Sequence, residues 1–151
     1  MTPSQCRAAR GILRWTQDDL ASAADVSDET VRNFETELAT PRQAGLDEMR
    51  LALEAAGVIF ITEDRQGPGV AVRETNWPLQ CRAARGLLGW TQSDLAAASS
   101  VSNLTVSKTE SGQVTPNRSS LRKMRSALEK AGVIFVNEIG ETGARLRKGL
   151  R

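Results

Sequence analysis

The chain contains no histidine and no tyrosine in 151 residues, and aromatic residues make up 4% of it. Without histidine, acid–base chemistry near neutral pH lacks its most common side chain. Cys6 and Cys81 are the only cysteines, so no Cys/His set exists that could hold zinc or iron. No glycine-rich loop follows an apolar strand, which removes the usual phosphate cradle. Carboxylates are plentiful, but they fall on what read as helix surfaces. These absences argue against an enzyme, and no cofactor or metal is expected. Long apolar runs are missing as well: the longest, such as Val58 to Ile61, are far too short to cross a bilayer. The first residues lack the hydrophobic region of a signal peptide. A cytoplasmic protein with no membrane partner is therefore expected, and the two cysteines are expected to serve as small buried apolar groups rather than a disulfide.

What is present is a repeat. QCRAARGILRWTQDDLA beginning at Gln5 returns as QCRAARGLLGWTQSDLA beginning at Gln80, and the register holds without insertion to GVIF at Gly57 and Gly132. Residues 5 to 63 share 34 identities in 59 positions with their counterparts. The expected organisation is a first copy over 1–73, a linker over 74–79 and a second copy over 80–151. Units this small have little core of their own, so each is expected to lean on the other. The charges differ sharply. Residues 1–75 carry 8 Lys+Arg against 13 Asp+Glu and residues 76–151 carry 12 against 5, a net of about −5 and +7. An acidic half and a basic half suggest a division of labour.

Each copy reads as four to five short helices followed by a strand or hairpin, a mainly α fold. Cys6, Ala9, Ile12 and Leu13 share a face of a first helix over residues 4 to 14. Thr16 caps a second helix, with Asp18 and Asp19 in its first turn, where the helix dipole favours negative charge. Ser27 caps a third helix with Val31 and Phe34 on its buried side. Thr40 and Pro41 form a cap and first-position pair for a fourth helix, whose stripe of Leu46, Met49, Leu53 and Ala56 runs to Gly57. VIFI and VIFV follow as strands by their β-branched content. Gln66 to Gly69 turns into Val70 to Arg73, and Ala144 to Arg147 is a weaker equivalent in the second copy. An isolated hairpin is marginal, so these strands are expected to pair between copies or between chains. Trp77 is read as covering a local surface.

The second helix from Gln17, a small residue at Ala21, a tight turn before Val26, then Val31 and Phe34 give helix-turn-helix spacing. TQDDLASAADVSDETVRNFE with Thr40-Pro41, and TQSDLAAASSVSNLTVSKTE with Thr115-Pro116, resemble the lambda-repressor-like, XRE-type family of bacterial and phage regulators, in the compact form where a GVxF strand follows the helices. The resemblance covers nearly the whole chain, twice. It implies a sequence-specific regulator of transcription that binds double-stranded DNA with its third helices in the major groove. Gln17 and Gln92 would then help anchor a phosphate. Base edges would be met by Ser27, Asp28, Glu29, Arg32 and Asn33 in the first copy, and by Ser102, Asn103, Leu104, Ser107 and Lys108 in the second. Thr30 and Thr105 are the further short polar candidates near the backbone. Arg10 with Glu35, and Arg85 with Glu110, match a family pair that ties the first helix to the third.

The copies depart from that pattern unequally. Asp28, Glu29 and Glu37 put carboxylates where phosphates would approach, and the first copy lacks the glycine that the second has at Gly112. The second copy offers Lys108, with Arg118, Arg122, Lys123 and Arg125 on its fourth helix. It is therefore expected to contribute most of the affinity, although its core carries Ser99 and Thr109 where the first has Ala24 and Phe34. If both third helices read DNA, the chain is a covalent pseudo-dimer on half-sites about 10 bp apart. Asp18 matches an acid through which phage repressors of this family touch RNA polymerase, although helix capping also accounts for it. The competing reading is a protein-binding adaptor or antitoxin that uses the first copy or its strands, with Val58, Phe60, Val133 and Phe135 as contacts. Homo-oligomers through the β-strands are a further expectation.

Overall fold

The starts of the second and third helices repeat their capping chemistry copy for copy in a computed structural model, which describes residues 1–62, 67–73, 77–138 and 141–147. Helix α1 (Pro3–Leu13) starts behind Thr2, which forms a reciprocal capping box with Gln5. Helices α2 (Gln17–Ala23) and α6 (Gln92–Ser99) start at Thr16 and Thr91. Each threonine hydroxyl accepts from the backbone amide of Asp19 or Asp94 at 3.1 Å, and each aspartate accepts the threonine amide at 2.7 Å. Ser27 and Ser102 cap α3 (Asp28–Glu35) and α7 (Asn103–Glu110) through the amides of Thr30 and Thr105. These bonds satisfy the orphan donors of each first turn.

The fourth helices start later than Thr40-Pro41 and Thr115-Pro116 suggest. α4 (Gln43–Ala55) begins after Arg42, which has no oxygen to offer and makes no side-chain cap. α8 (Arg118–Lys130) is capped instead by Asn117, whose side chain accepts from the Ser120 amide at 2.8 Å. The short polar cap thus lies two residues beyond the threonine, and only the second copy has one. The expected linker is also shorter at its C-terminal end, because α5 (Trp77–Leu88) already includes Trp77 to Leu79. Residues 74–76 of that linker, and Gln66 of the expected turn, lie outside the described residues.

The left-handed positions repeat too. Arg14 and Gly89, Asp25 and Ser100, Glu37 and Gly112, and Gly57 and Gly132 all have positive φ. The second copy fills three of the four with glycine and the first only one. Side chains at such positions are strained relative to glycine.

Strands β1 (Ile59–Ile61), β2 (Gly69–Val72), β3 (Val133–Glu138) and β4 (Glu141–Leu146) form one antiparallel sheet in the order β1-β2-β4-β3. The expected hairpins form, and they join between copies within the same chain. The second hairpin is the longer, since β4 reaches back to Glu141 rather than starting at Ala144. Across the joint, Gly69 pairs with Arg145 and Val70 with Ala144. Adding the 75-residue repeat offset exchanges these two pairs, so a pseudo-two-fold axis passes between β2 and β4.

The same axis relates α1 to α5, which pack directly on each other. The contact uses small residues: Ala8 and Ala83 are fully buried, and a Cβ placed on Gly86 would stand 2.4 Å from the Ala8 Cα. Arg7 Nε donates to the Gly86 carbonyl, and Arg82 Nε donates to the Gly11 carbonyl at 2.8 Å. Each residue thus meets its partner's counterpart, the pattern of an isologous dimer interface. One contiguous apolar cluster runs through both copies, from Cys6, Leu20 and Leu53 to Leu95, Leu128 and Leu146. Both cysteines are free and buried within it. Burial, and then the nearby Glu35 or Glu110 carboxylate, pushes both thiols up from their ordinary value, so neither is a ready nucleophile. Among the described residues no helix is long and apolar enough to cross a membrane.

Candidate nucleic-acid interface

In each copy a short helix, a tight turn and a second short helix stand on one buried lattice. Val31 and Phe34 face inward from α3, and Val106 and Thr109 from α7. Arg10 grips the end of α3 with both arms, Nε to Glu35 Oε1 at 2.7 Å and Nη2 to Oε2 at 2.6 Å, while Nη1 donates to the Trp15 carbonyl at 2.8 Å. Arg85 does the same to Glu110 and Trp90. Burial alone would push Arg10 and Arg85 down, but the bond and charge of the facing glutamate outweigh it and leave both raised. The two arginines are therefore fixed cations, and the pairs are the expected ties between first and third helix.

Gln17 and Gln92 belong to the same lattice. Gln17 Nε2 donates to Glu35 Oε2 at 2.9 Å and Gln92 Nε2 to Glu110 Oε2 at 2.8 Å, and both side chains are half-buried. These bonds lock the start of the second helix to the end of the third, a role that the sequence reading did not assign to them. One N–H of each amide remains free of this bond.

The outward faces of α3 and α7 differ. Ser27, Asp28, Glu29 and Arg32 are exposed, with Thr30 and Asn33 half-exposed. Arg32 Nη2 donates to Asp28 Oδ2 at 2.7 Å, so the main cation of this face is already paired on its own helix. On α7, Ser102, Asn103, Leu104 and Lys108 are exposed, with Thr105 and Ser107 half-exposed. Lys108 has no carboxylate within 4 Å among the described residues. Leu104 is 63% exposed, although an apolar side chain in the first turn of a polar face gains nothing from water. Arg118 is exposed at the start of α8, as is Asp18 at the start of α2.

Residues 82–132 match the helix-turn-helix family model. No curated protein and no solved structure matches the chain. The matched stretch holds α6 and α7, the helix-turn-helix proper, between most of α5 and the end of α8. Helix-turn-helix domains bind duplex DNA, with the second helix of the motif in the major groove, and the family is typically not enzymatic. The first copy is not detected by the family model, yet α2 and α3 repeat the caps, the buried Arg–Glu pair and the glutamine contact of the helix-turn-helix in the second.

Two of the expected partner contacts are corrected by burial. Val58 and Val133 are 3% and 2% exposed and belong to the shared core, because the residue after each glycine turns inward to close the fourth helix on the sheet. Phe60 and Phe135 are half-buried beneath Arg50 and Arg125, whose guanidinium carbons lie 5.6 and 5.0 Å from the ring centroids. Trp77 packs on Phe135 at 5.4 Å. The sequence reading also missed Arg7, Arg14 and Arg82. These gather where the two copies meet, and the available signal was the arginine at one repeat position, 7 and 82, four residues before a glycine in both copies.

Proposed function

We propose that the chain is a sequence-specific duplex-DNA-binding transcriptional regulator in which α3 and α7 both enter the major groove and the second copy dominates affinity. The observation that carries this is the doubled lattice: two exposed third helices held by identical internal bonds on one pseudo-two-fold scaffold, the second inside a helix-turn-helix match. Two such helices related by one axis call for two half-sites, which in helix-turn-helix dimers lie about one helical turn apart. Asn103 at the start of α7 has the amide that pairs with adenine, and Leu104 offers the apolar contact that a thymine methyl accepts. Lys108 and Arg118 supply phosphate or guanine contacts on the basic side. Gln17 and Gln92 retain an N–H for a phosphate beside the free amides of their helix.

The inequality follows from charge. Asp28 engages Arg32 and Glu29 stands beside it, so the first copy approaches phosphates with a surface that repels them, whereas Lys108 neutralises one. Titration of a selected duplex with Lys108→Ala and Arg32→Ala tests this. Lys108→Ala is expected to weaken binding about tenfold or more, near 1.4 kcal/mol, and Arg32→Ala by less than about threefold. Equal losses would refute the unequal roles. Retention that does not fall with added salt would argue against DNA as the partner.

A further inference from the structure

Where α1 meets α5 across the pseudo-two-fold axis, a cleft of about 470 Å³ extends towards α6 and α7, and its walls hold Arg7, Arg10, Arg14, Arg82 and Arg85 against one carboxylate, Glu110. Arg10 and Arg85 are neutralised by their buried glutamates. The other three have no carboxylate within 4 Å among the described residues. Arg7 and Arg82 donate inward, to the last carbonyls of α3 and α7 at Glu35 and Glu110 and across the axis to Gly86 and Gly11. They are positioning residues for the third helices. Arg14 differs. It is exposed, and it reaches from the first copy into the second with one donor on the Glu110 carbonyl at 3.1 Å. Its repeat counterpart is Gly89, against which the Arg7 guanidinium rests. One arginine therefore stands at the centre where strict symmetry would supply two. Burial, and next the charge of Arg14, lowers Arg82 from its ordinary value, a sign that positive charge is crowded here.

The cleft also opens onto the proposed reading face, since Gln92 and Ser107 line it. When two third helices occupy successive major grooves on one side of a duplex, the minor groove between the half-sites faces the protein at its axis. Narrow minor grooves at A·T tracts carry enhanced negative potential that attracts arginine. We infer that Arg14, backed by Arg7 and Arg82, docks in the minor groove at the operator centre and makes the protein select A·T base pairs there, which neither third helix touches. The inference rests on the proposed DNA reading and adds a third contact to it.

Arg14→Gly is the discriminating variant. It installs the residue that the second copy already has at this left-handed position, so the fold should not suffer, and thermal unfolding verifies that. Randomised duplexes roughly three helical turns long, about 30 bp, are selected in parallel by the wild-type chain and by Arg14→Gly. The expected wild-type pool carries two half-sites with a central stretch enriched in A·T. The variant is expected to keep the half-sites and lose the central enrichment, and a remade duplex with a G·C centre should weaken wild-type binding about tenfold but the variant less than about twofold. An identical central composition in both pools overturns the inference and leaves the DNA reading standing. A wild-type pool with no enriched half-site overturns the DNA reading, and the inference falls with it.

Discussion

At the level of single residues, two differences between the copies bear on stability. Thr109 takes the position of Phe34 in the core, is fully buried, and its hydroxyl has no hydrogen-bond partner among the described residues. A buried unsatisfied hydroxyl costs about 1–3 kcal/mol, and valine has nearly the same shape. Thr109→Val is expected to stabilise the chain by about 1 kcal/mol, read as a higher urea midpoint at unchanged slope. Ser99, also buried, needs no such repair, because its hydroxyl donates to the Leu95 carbonyl at 2.6 Å. Glu37 is the opposite case, an exposed side chain at φ 60 where the second copy has Gly112 at φ 75. Glycine relieves about 1–2 kcal/mol of left-handed strain and loses roughly 0.5–1 kcal/mol to unfolded-chain entropy. Glu37→Gly should therefore gain about 0.5–1 kcal/mol in denaturant titration, and should also tighten DNA binding by removing a charge beside α3. Both positions were legible by aligning the copies. Arg14 was legible in the same way as a left-handed position, opposite Gly89, but not as a central one: only the packing of α1 on α5 brings it to where the copies meet.

At the level of elements, helix starts were the most legible feature, because a cap is a local bond between residues three apart. The capping boxes at Thr16 and Thr91 also give a pH dependence. The backbone amide and then the hydroxyl of the threonine hold Asp19 and Asp94 below the usual carboxylate range. A lowered folded-state value means that this stabilisation is fully present above the unfolded value near 4. It is lost as pH falls through the lower folded value. Asp19→Asn with Asp94→Asn should flatten the decline of thermal stability below about pH 4, and an unchanged slope would show that other carboxylates govern it. The α4 start lies two residues beyond Pro41: Thr-Pro is a good cap signal, but Arg42, at ψ 151, is not yet helical. The joint between the copies was least legible: Ala8, Gly11, Ala83 and Gly86 read as ordinary helix residues until two helices meet. There a Cβ on Gly86 would stand 2.4 Å from backbone, whereas one on Gly45 would find ordinary contacts at 3.8 Å and beyond. Gly86→Ala is expected to destabilise by about 1–3 kcal/mol. Gly45→Ala, in a helix with room for it, should be neutral or stabilising by up to about 1 kcal/mol, and the pair is compared by denaturant unfolding.

At the level of the whole molecule, two copies of one unit pack as a pseudo-dimer within one chain. The shared sheet and the α1–α5 contact fix the two third helices relative to each other without a concentration-dependent step. Such a scaffold permits its halves to diverge, and their sequence charges differ, about −5 against +7, while the internal Arg–Glu lattice is preserved. A symmetric dimer must present two equal faces, but this chain need not, so on the proposed DNA reading an asymmetric operator is the expected target. Hydroxyl-radical footprinting of a selected duplex at one chain per site tests that claim most directly. Two protected patches on one face of the duplex, about 10 bp apart and unequal in depth, with the deeper one weakened by Lys108→Ala, are the expected result. A single patch, or a second patch that appears only when a second chain binds, would contradict it.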